Sequence, residues 1–220
     1  VGGTTQMAFH PLVTGAQKIQ LKTSAAIGTS VYYTPNPFEV WWTTPTKLQL
    51  VVEGQLASPG APPYDADPTI GGRSDSTPGD LTAGVTTTIR VNLVDQYFNV
   101  VKGTTPFIPL AANIVMPLVQ LDFLNDPNIQ ARGLAPTPFQ RTLNAGTTQF
   151  SFIPATRNAA FQLRAKDTQL TATSYSTDTV SNINVLANIP LSLLALAPGE
   201  SYSEGTVTGK TAAPPSTLIA

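Results

Sequence analysis

Thr86-Thr87-Thr88-Ile89-Arg90-Val91-Asn92-Leu93-Val94 sets Ile89, Val91 and Leu93 against Thr88, Arg90 and Asn92 in strict alternation. Successive side chains of a strand point to opposite faces, so this period of two predicts a strand with one face in a core and the other outward. Working outward, Leu48 to Val52, Asn113 to Phe123, Thr147 to Phe152, Ala160 to Ala165, Leu170 to Tyr175 and Val180 to Val185 read as further short strands. Between them, 20 Pro and 16 Gly gather in clusters such as Ser58-Pro59-Gly60-Ala61-Pro62-Pro63, Thr77-Pro78-Gly79-Asp80 and Leu134-Ala135-Pro136-Thr137-Pro138. Helix interiors cannot hold that much proline, and no capped apolar stripe of helical period occurs, so helices are expected to be single turns. Roughly seven strands over about 140 residues predict an all-β chain folded as a Greek-key β-sandwich.

The chain also repeats itself. Gly3-Thr4-Thr5-Gln6-Met7-Ala8-Phe9 recurs as Gly146-Thr147-Thr148-Gln149-Phe150-Ser151-Phe152, an offset of 143, and Ile19-Gln20-Leu21-Lys22 recurs as Phe161-Gln162-Leu163-Arg164. Pro45-Thr46-Lys47-Leu48 falls on Pro190-Leu191-Ser192-Leu193, and Gly54 and Gly60 fall on Gly199 and Gly205, an offset of 145. Gly72-Arg73-Ser74 then matches Gly209-Lys210-Thr211, and Pro78, Leu81 and Ala83 match Pro215, Leu218 and Ala220. This divides the chain into 1–46, the back of one unit, 47–189, a complete unit, and 190–220, the front of a third. The insert Pro62 to Ile70, missing from the other copy, reads as a surface loop.

Composition narrows the function classes. The 220 residues are 41% hydrophobic, which rules out a disordered chain, but only 11% charged, so Thr, Ser, Asn, Gln and Gly do most of the solvating. Twelve Lys and Arg against 13 Asp and Glu leave a net charge of −1 with no basic run, which argues against nucleic acid as a partner. One His and no Cys remove thiol chemistry, zinc thiolate sites and every His-based triad except one built on His10. The longest apolar run, around Ile189 to Leu196, is too short for a membrane helix. The start, Val1-Gly2-Gly3, has no initiator Met or leader pattern, which reads as a mature product or a piece of a longer chain.

Leu81-Thr82-Ala83-Gly84-Val85, Val94-Asp95-Gln96-Tyr97-Phe98-Asn99-Val100-Val101, Leu143 to Phe150 and the closing Val180 to Val185 resemble the tandem immunoglobulin-like repeats of long bacterial surface proteins of the invasin and adhesin kind. Such repeats commonly have Asp-x-x-Gly-Asn where this chain has Asp95-Gln96-Tyr97-Phe98-Asn99, a bulkier turn. The resemblance implies tandem Ig-like modules, one complete and two partial. It also implies a non-enzymatic spacer, stalk or adhesin rod outside the cell, whose partners are adjacent repeats or copies of itself.

Several residue groups carry sharper readings. Asp95 and Asn99 bracket a turn that Asx hydrogen bonds would hold, the alternative being a calcium pair shared with a neighbouring module; separately, Asp65 and Asp67, with Asp75 and Asp80 nearby, read as a solvated loop ahead of a calcium cage. No Gly-centred calcium loop with a terminal Glu is present, so no cofactor is assigned. Tyr32, Tyr33, Phe38, Trp41 and Trp42 lack counterparts in the second copy and are assigned to a joint or subunit contact, ahead of core packing and carbohydrate stacking. One of the adjacent tryptophans should point inward and the other outward. Leu191, Leu193, Leu194 and Leu196 form an edge strand that a neighbour would complete by β-strand addition, unless the missing strands are covalently adjacent. His10 is read as structural, because its counterpart is Ile153. Two distant carboxylates of a glycosidase, or an accessory domain of a secreted hydrolase, stay open as alternatives.

Overall fold

The computed structural model describes residues 8–22, 31–33, 37–64, 71–75, 77–102, 114–136, 139–169 and 174–211. The N-terminal elements are β1 (Gly15–Gln17), β2 (Gln20–Lys22), β3 (Val31–Tyr33) and β4 (Phe38–Val40). They pair as two antiparallel ribbons, β1 with β4 and β2 with β3. There follow β5 (Pro45–Val51), β6 (Leu81–Thr82), β7 (Thr87–Asp95), β8 (Leu118–Phe123), the single helical turn α1 (Asn128–Ala131), β9 (Gln140–Thr142), β10 (Thr147–Phe152), β11 (Asn158–Asp167) and β12 (Asp178–Leu186). The chain is all-β.

The strand from which the reading began is β7, the middle of a three-stranded antiparallel sheet in the order β10-β7-β5. Ile89, Val91 and Leu93 face the core as their alternation predicts, while Thr88 and Arg90 face solvent. Asn92 departs from the expected outward position because it is buried on the far face. There it donates to Gln49 Oε1 at 3.0 Å and accepts from Thr147 Oγ1 at 2.9 Å, a polar rung across all three strands. A second sheet runs β6-β12-β11-β8-β9, antiparallel except for β6 beside β12. Apolar side chains of the two sheets meet in one core: Leu48, Leu50, Phe150 and Phe152 from the first, Val119, Leu121, Phe161 and Ile183 from the second. Each such burial contributes about 1.5–3 kcal/mol against the entropy of ordering the chain.

Some boundaries move for identifiable reasons. The strand expected from Asn113 begins at Leu118, directly after Pro117, which has no N–H for a ladder. In the stretch expected as a strand from Leu170 to Tyr175, residues 170–173 lie outside the described residues and 174–175 join no ladder. Ser176 beyond them makes one parallel bridge to Lys47. β12 carries Asn182 in the left-handed region at φ 59°, and the β11–β12 register shifts on either side of Phe161.

A buried ion pair ties the two sheets together. Arg73 and Asp178 have no exposed side-chain surface and bond directly to each other. Asp178 also accepts from the Leu50 amide of β5, and Arg73 donates Nε to the Leu50 carbonyl at 2.9 Å. Charges this deep are tolerated only when paired and hydrogen-bonded, and here the bonds span β5, β12 and the loop between β5 and β6.

On the outer face of the larger sheet, Asp122 of β8 takes Arg164 of β11 at 2.6 Å and Lys166 at 3.0 Å. Burial pushes the Asp122 carboxyl up, but hydrogen bonds from Arg164, Gln120 and Lys166 outweigh it and hold the group below its ordinary value. A depressed folded-state pKa stabilises above the unfolded value and is lost as pH falls through the folded one. Acid titration followed by circular dichroism should therefore show a shallower loss of stability below about pH 4 in Asp122→Asn than in the wild type.

Candidate functional site

The turn after β7 is built around Asp95, which is fully buried. Its Oδ1 accepts the amides of Tyr97 and Asn99, each at 2.9 Å, which closes the turn as an Asx motif. Phe98 takes φ 64°, in the left-handed region that glycine usually occupies, and its ring is fully buried. The ring lies where a Cβ on Gly71 or Gly72 would stand, 2.6 Å and 2.2 Å away at closest approach, so only glycine fits at those two positions. On the ring's other side, Lys47 Nζ sits 3.7 Å from the centroid. The strain of a left-handed phenylalanine is thus offset by an aromatic wedge under β5.

The same pair of side chains reaches across to the N-terminal segment. Asp95 Oδ2 accepts from the Thr43 amide at 3.0 Å and from the Thr43 hydroxyl at 3.3 Å. Asn99 Nδ2 donates to the Leu12 carbonyl at 2.9 Å, and Asn99 Oδ1 accepts the Thr14 amide at 3.0 Å. Gly60, at φ 77°, presses its bare Cα on Val13, and its amide donates to the Tyr97 carbonyl at 2.8 Å. Tyr64 packs edge-on to Tyr97 at 5.2 Å and donates to the Gly60 carbonyl. These contacts make a joint between residues 8–44 and the double sheet in which backbone on one side is gripped by side chains on the other.

A second contact of the same form lies toward the C-terminus. Gly205, at φ 76°, presses on Thr156, and these two residues stand 145 and 143 positions beyond Gly60 and Val13. Arg132 donates to the Gly205 carbonyl at 3.2 Å, Asn128 to the Glu204 carbonyl at 3.4 Å, and Arg157 pairs with Glu204 at 3.6 Å. Each contact is flanked by a cleft. Thr14, Glu39, Val40, Trp41 and Lys102 line the first, of about 250 Å³. Arg157, Asn184, Val185 and Leu186 line the second, of about 520 Å³. The β-pairing beside them also matches, with Gly15 opposite Val40 in one and Asn158 opposite Val185 in the other.

The residues singled out from sequence fall in several places. Trp42 is buried in the core and Trp41 is 39% exposed at the first cleft, the inward and outward pair expected of neighbouring positions. Phe38 stacks at a tilt on Phe9, 5.7 Å away. Tyr32 and Tyr33 lie on β3, whose side chains are outside the description, as are Asp65 and Asp67 entirely. Asp95 and Asn99 come together, but with their oxygens and amide engaged by protein donors and acceptors. Among the described residues no group of three or more His, Asp or Glu converges. His10 is exposed in the extended stretch before the joint. Leu191, Leu193, Leu194 and Leu196 lie in an extended, exposed segment that pairs with no strand among the described residues.

Sequence reading did not find Leu12, Thr14 and Thr43 as partners of the Asp95 turn, because their role is carried by backbone groups, joined only at Thr43 by a side-chain hydroxyl. Gly60 and Gly205 were visible as recurring glycines, though not the close approach that requires them. Compared with protein-family models, curated proteins and solved structures, the chain matches none.

Replacing Asp95 with Ala removes the acceptor for five donors at the joint and turn, the amides of Thr43, Tyr97 and Asn99, the Thr43 hydroxyl and the Asn99 side-chain amide, where a hydrogen bond to a charged group is worth about 1.5–3 kcal/mol. Urea unfolding of Asp95→Ala should show a loss of about 3 kcal/mol. Limited proteolysis should open first around residues 41–44, while Glu39→Ala, at the cleft rim, should leave both readouts unchanged.

Proposed function

We propose that this chain is a non-enzymatic structural segment of a bacterial extracellular filament, stalk or adhesin rod, built from tandem Ig-like Greek-key sandwiches. On this reading residues 47–189 are one whole module, 1–46 the back of the module before and 190–220 the front of the module after. The observation that carries it is the recurrence of the joint: glycine on a side chain, the flanking β-pair and the neighbouring cleft all return at offsets of 143 to 145. Equal joints stack equal units at a fixed rotation and rise, and that generates a rod. The first joint is held by several partly buried hydrogen bonds, so neighbouring modules are fixed in orientation instead of swinging on a linker. A surface with few charges lets such rods lie side by side with weak repulsion. The extracellular location rests on the family resemblance.

A second reading is favoured by one observation. Trp41 lines a joint cleft together with Glu39, Lys102 and Thr14, an aromatic face beside polar groups of the kind that stacks and orients a sugar ring.

Electron microscopy of the native polypeptide should show stiff, beaded rods, with antibody against residues 47–189 labelling intact cells. Flexible chains, or label seen only after permeabilisation, would overturn the structural reading. If the cleft takes sugar, a glycan array should give saturable binding that Trp41→Ala abolishes. A pure spacer gives none.

A further inference from the structure

The stretch after β12 is the most exposed apolar segment among the described residues: Leu191 is 85% exposed and Leu193 fully so. The hairpin that follows is already formed, and its three backbone bonds each repeat one of those after β5. Glu200 N donates to Ala197 O as Gln55 N does to Val52 O. Ser203 N donates to Gly209 O at 2.8 Å as Ser58 N does to Gly72 O at 2.7 Å, and Thr211 N donates to Ser201 O as Ser74 N does to Leu56 O. The side chains follow suit. Glu200 accepts from the Ala197 amide as Gln55 does from Val52, and the Thr211 hydroxyl accepts from Ser201 N as the Ser74 hydroxyl does from Leu56 N. Finally, Lys210 Nζ reaches the Ala195 carbonyl as Arg73 reaches that of Leu50.

In residues 47–189 that same scaffold is occupied. β7 pairs antiparallel along β5, Leu48 and Leu50 are buried against the larger sheet, and Asp178 meets both Arg73 and the Leu50 amide. The counterparts of these positions are Leu193, Ala195 and Lys210. We propose that residues 190–211 are a preformed docking element for the core of a further module of this same fold. Its β7-type strand pairs antiparallel with Pro190–Leu196, and its β12-type strand brings a carboxylate to Lys210 and the Ala195 amide. Until then Lys210 is held by Glu200 at 2.7 Å, so the cation is kept aimed along the strand edge. The N-terminal segment of a second copy does not fit this role, since residues 1–46 match only the part of the unit from β10 onward and carry no β7-type strand. The occupant is therefore a module core lacking its own first strand.

The assignment rests on the tandem reading and is tested on the full chain, extended at Ala220 by a second copy of residues 84–189, the portion that continues the unit after Ala83. Amide hydrogen exchange at Leu191–Leu196 should slow by about a hundredfold or more in the extended chain. Leu193→Asp should return those amides to their unprotected rate without changing exchange in 47–189. A control chain, residues 1–189 followed by a second copy of 45–189, carries its own β5. If the control folds its added module but Leu191–Leu196 stay unprotected in the first chain, the docking assignment is overturned. If the control also fails to fold its added module, the tandem reading falls with it.

Discussion

Asp178 is a carboxylate with no solvent contact, and the double sheet is organised around keeping it satisfied. From β12 it reaches two partners far away in sequence: the Arg73 guanidinium in a loop and the Leu50 amide on β5. Removing either charge would strand the other, and losing the carboxylate would also strand the Leu50 amide, in a medium that cannot solvate them, at a cost of several kcal/mol. That penalty fixes how the three-stranded sheet sits on the five-stranded one. Apolar burial supplies most of the driving force, but leucines and phenylalanines alone would accept neighbouring registers. The polar constraint selects one.

The joint uses the same logic nearer the surface. Asp95 closes its own turn with one oxygen and grips Thr43 with the other, so the end of β7 and the entry to β5 are fixed together. Asn99 extends the grip to Leu12 and Thr14. Side chains on one side mostly hold backbone on the other, at Leu12, Thr14 and Thr43. Val13 stands under Gly60 and Thr156 under Gly205, in both cases a side chain against a bare glycine.

The alternation of Ile89, Val91 and Leu93 made the central strand legible, and proline and glycine placement made the absence of long helices legible. Asn92 was not, since its burial depends on Gln49 and Thr147, which strands distant in sequence bring beside it. Arg73 and Asp178 look like ordinary surface charges until the fold joins them across 105 positions. The Asp95 turn could be read locally, whereas its hold on Thr43 and Leu12 depends on how the segments pack. The exposed leucines are the converse case. Their apolar character suggests a core, yet they lie in solvent because no strand among the described residues covers them.

One arrangement in the double sheet governs how it carries load. β5 starts beside the approach to β12: Leu48 N donates to Ser176 O, Ser176 N donates to Thr46 O, and the bridge there is parallel. On the proposed rod reading, tension enters at Pro45 and leaves at Leu186, so it drags two parallel segments lengthwise past each other. The Thr46, Leu48 and Leu50 bonds to Ser176 and Asp178 are then stressed together in shear instead of being peeled one at a time. An element loaded this way yields only when all its bonds give at once, which makes the seam between β5 and the start of β12 a mechanical clamp.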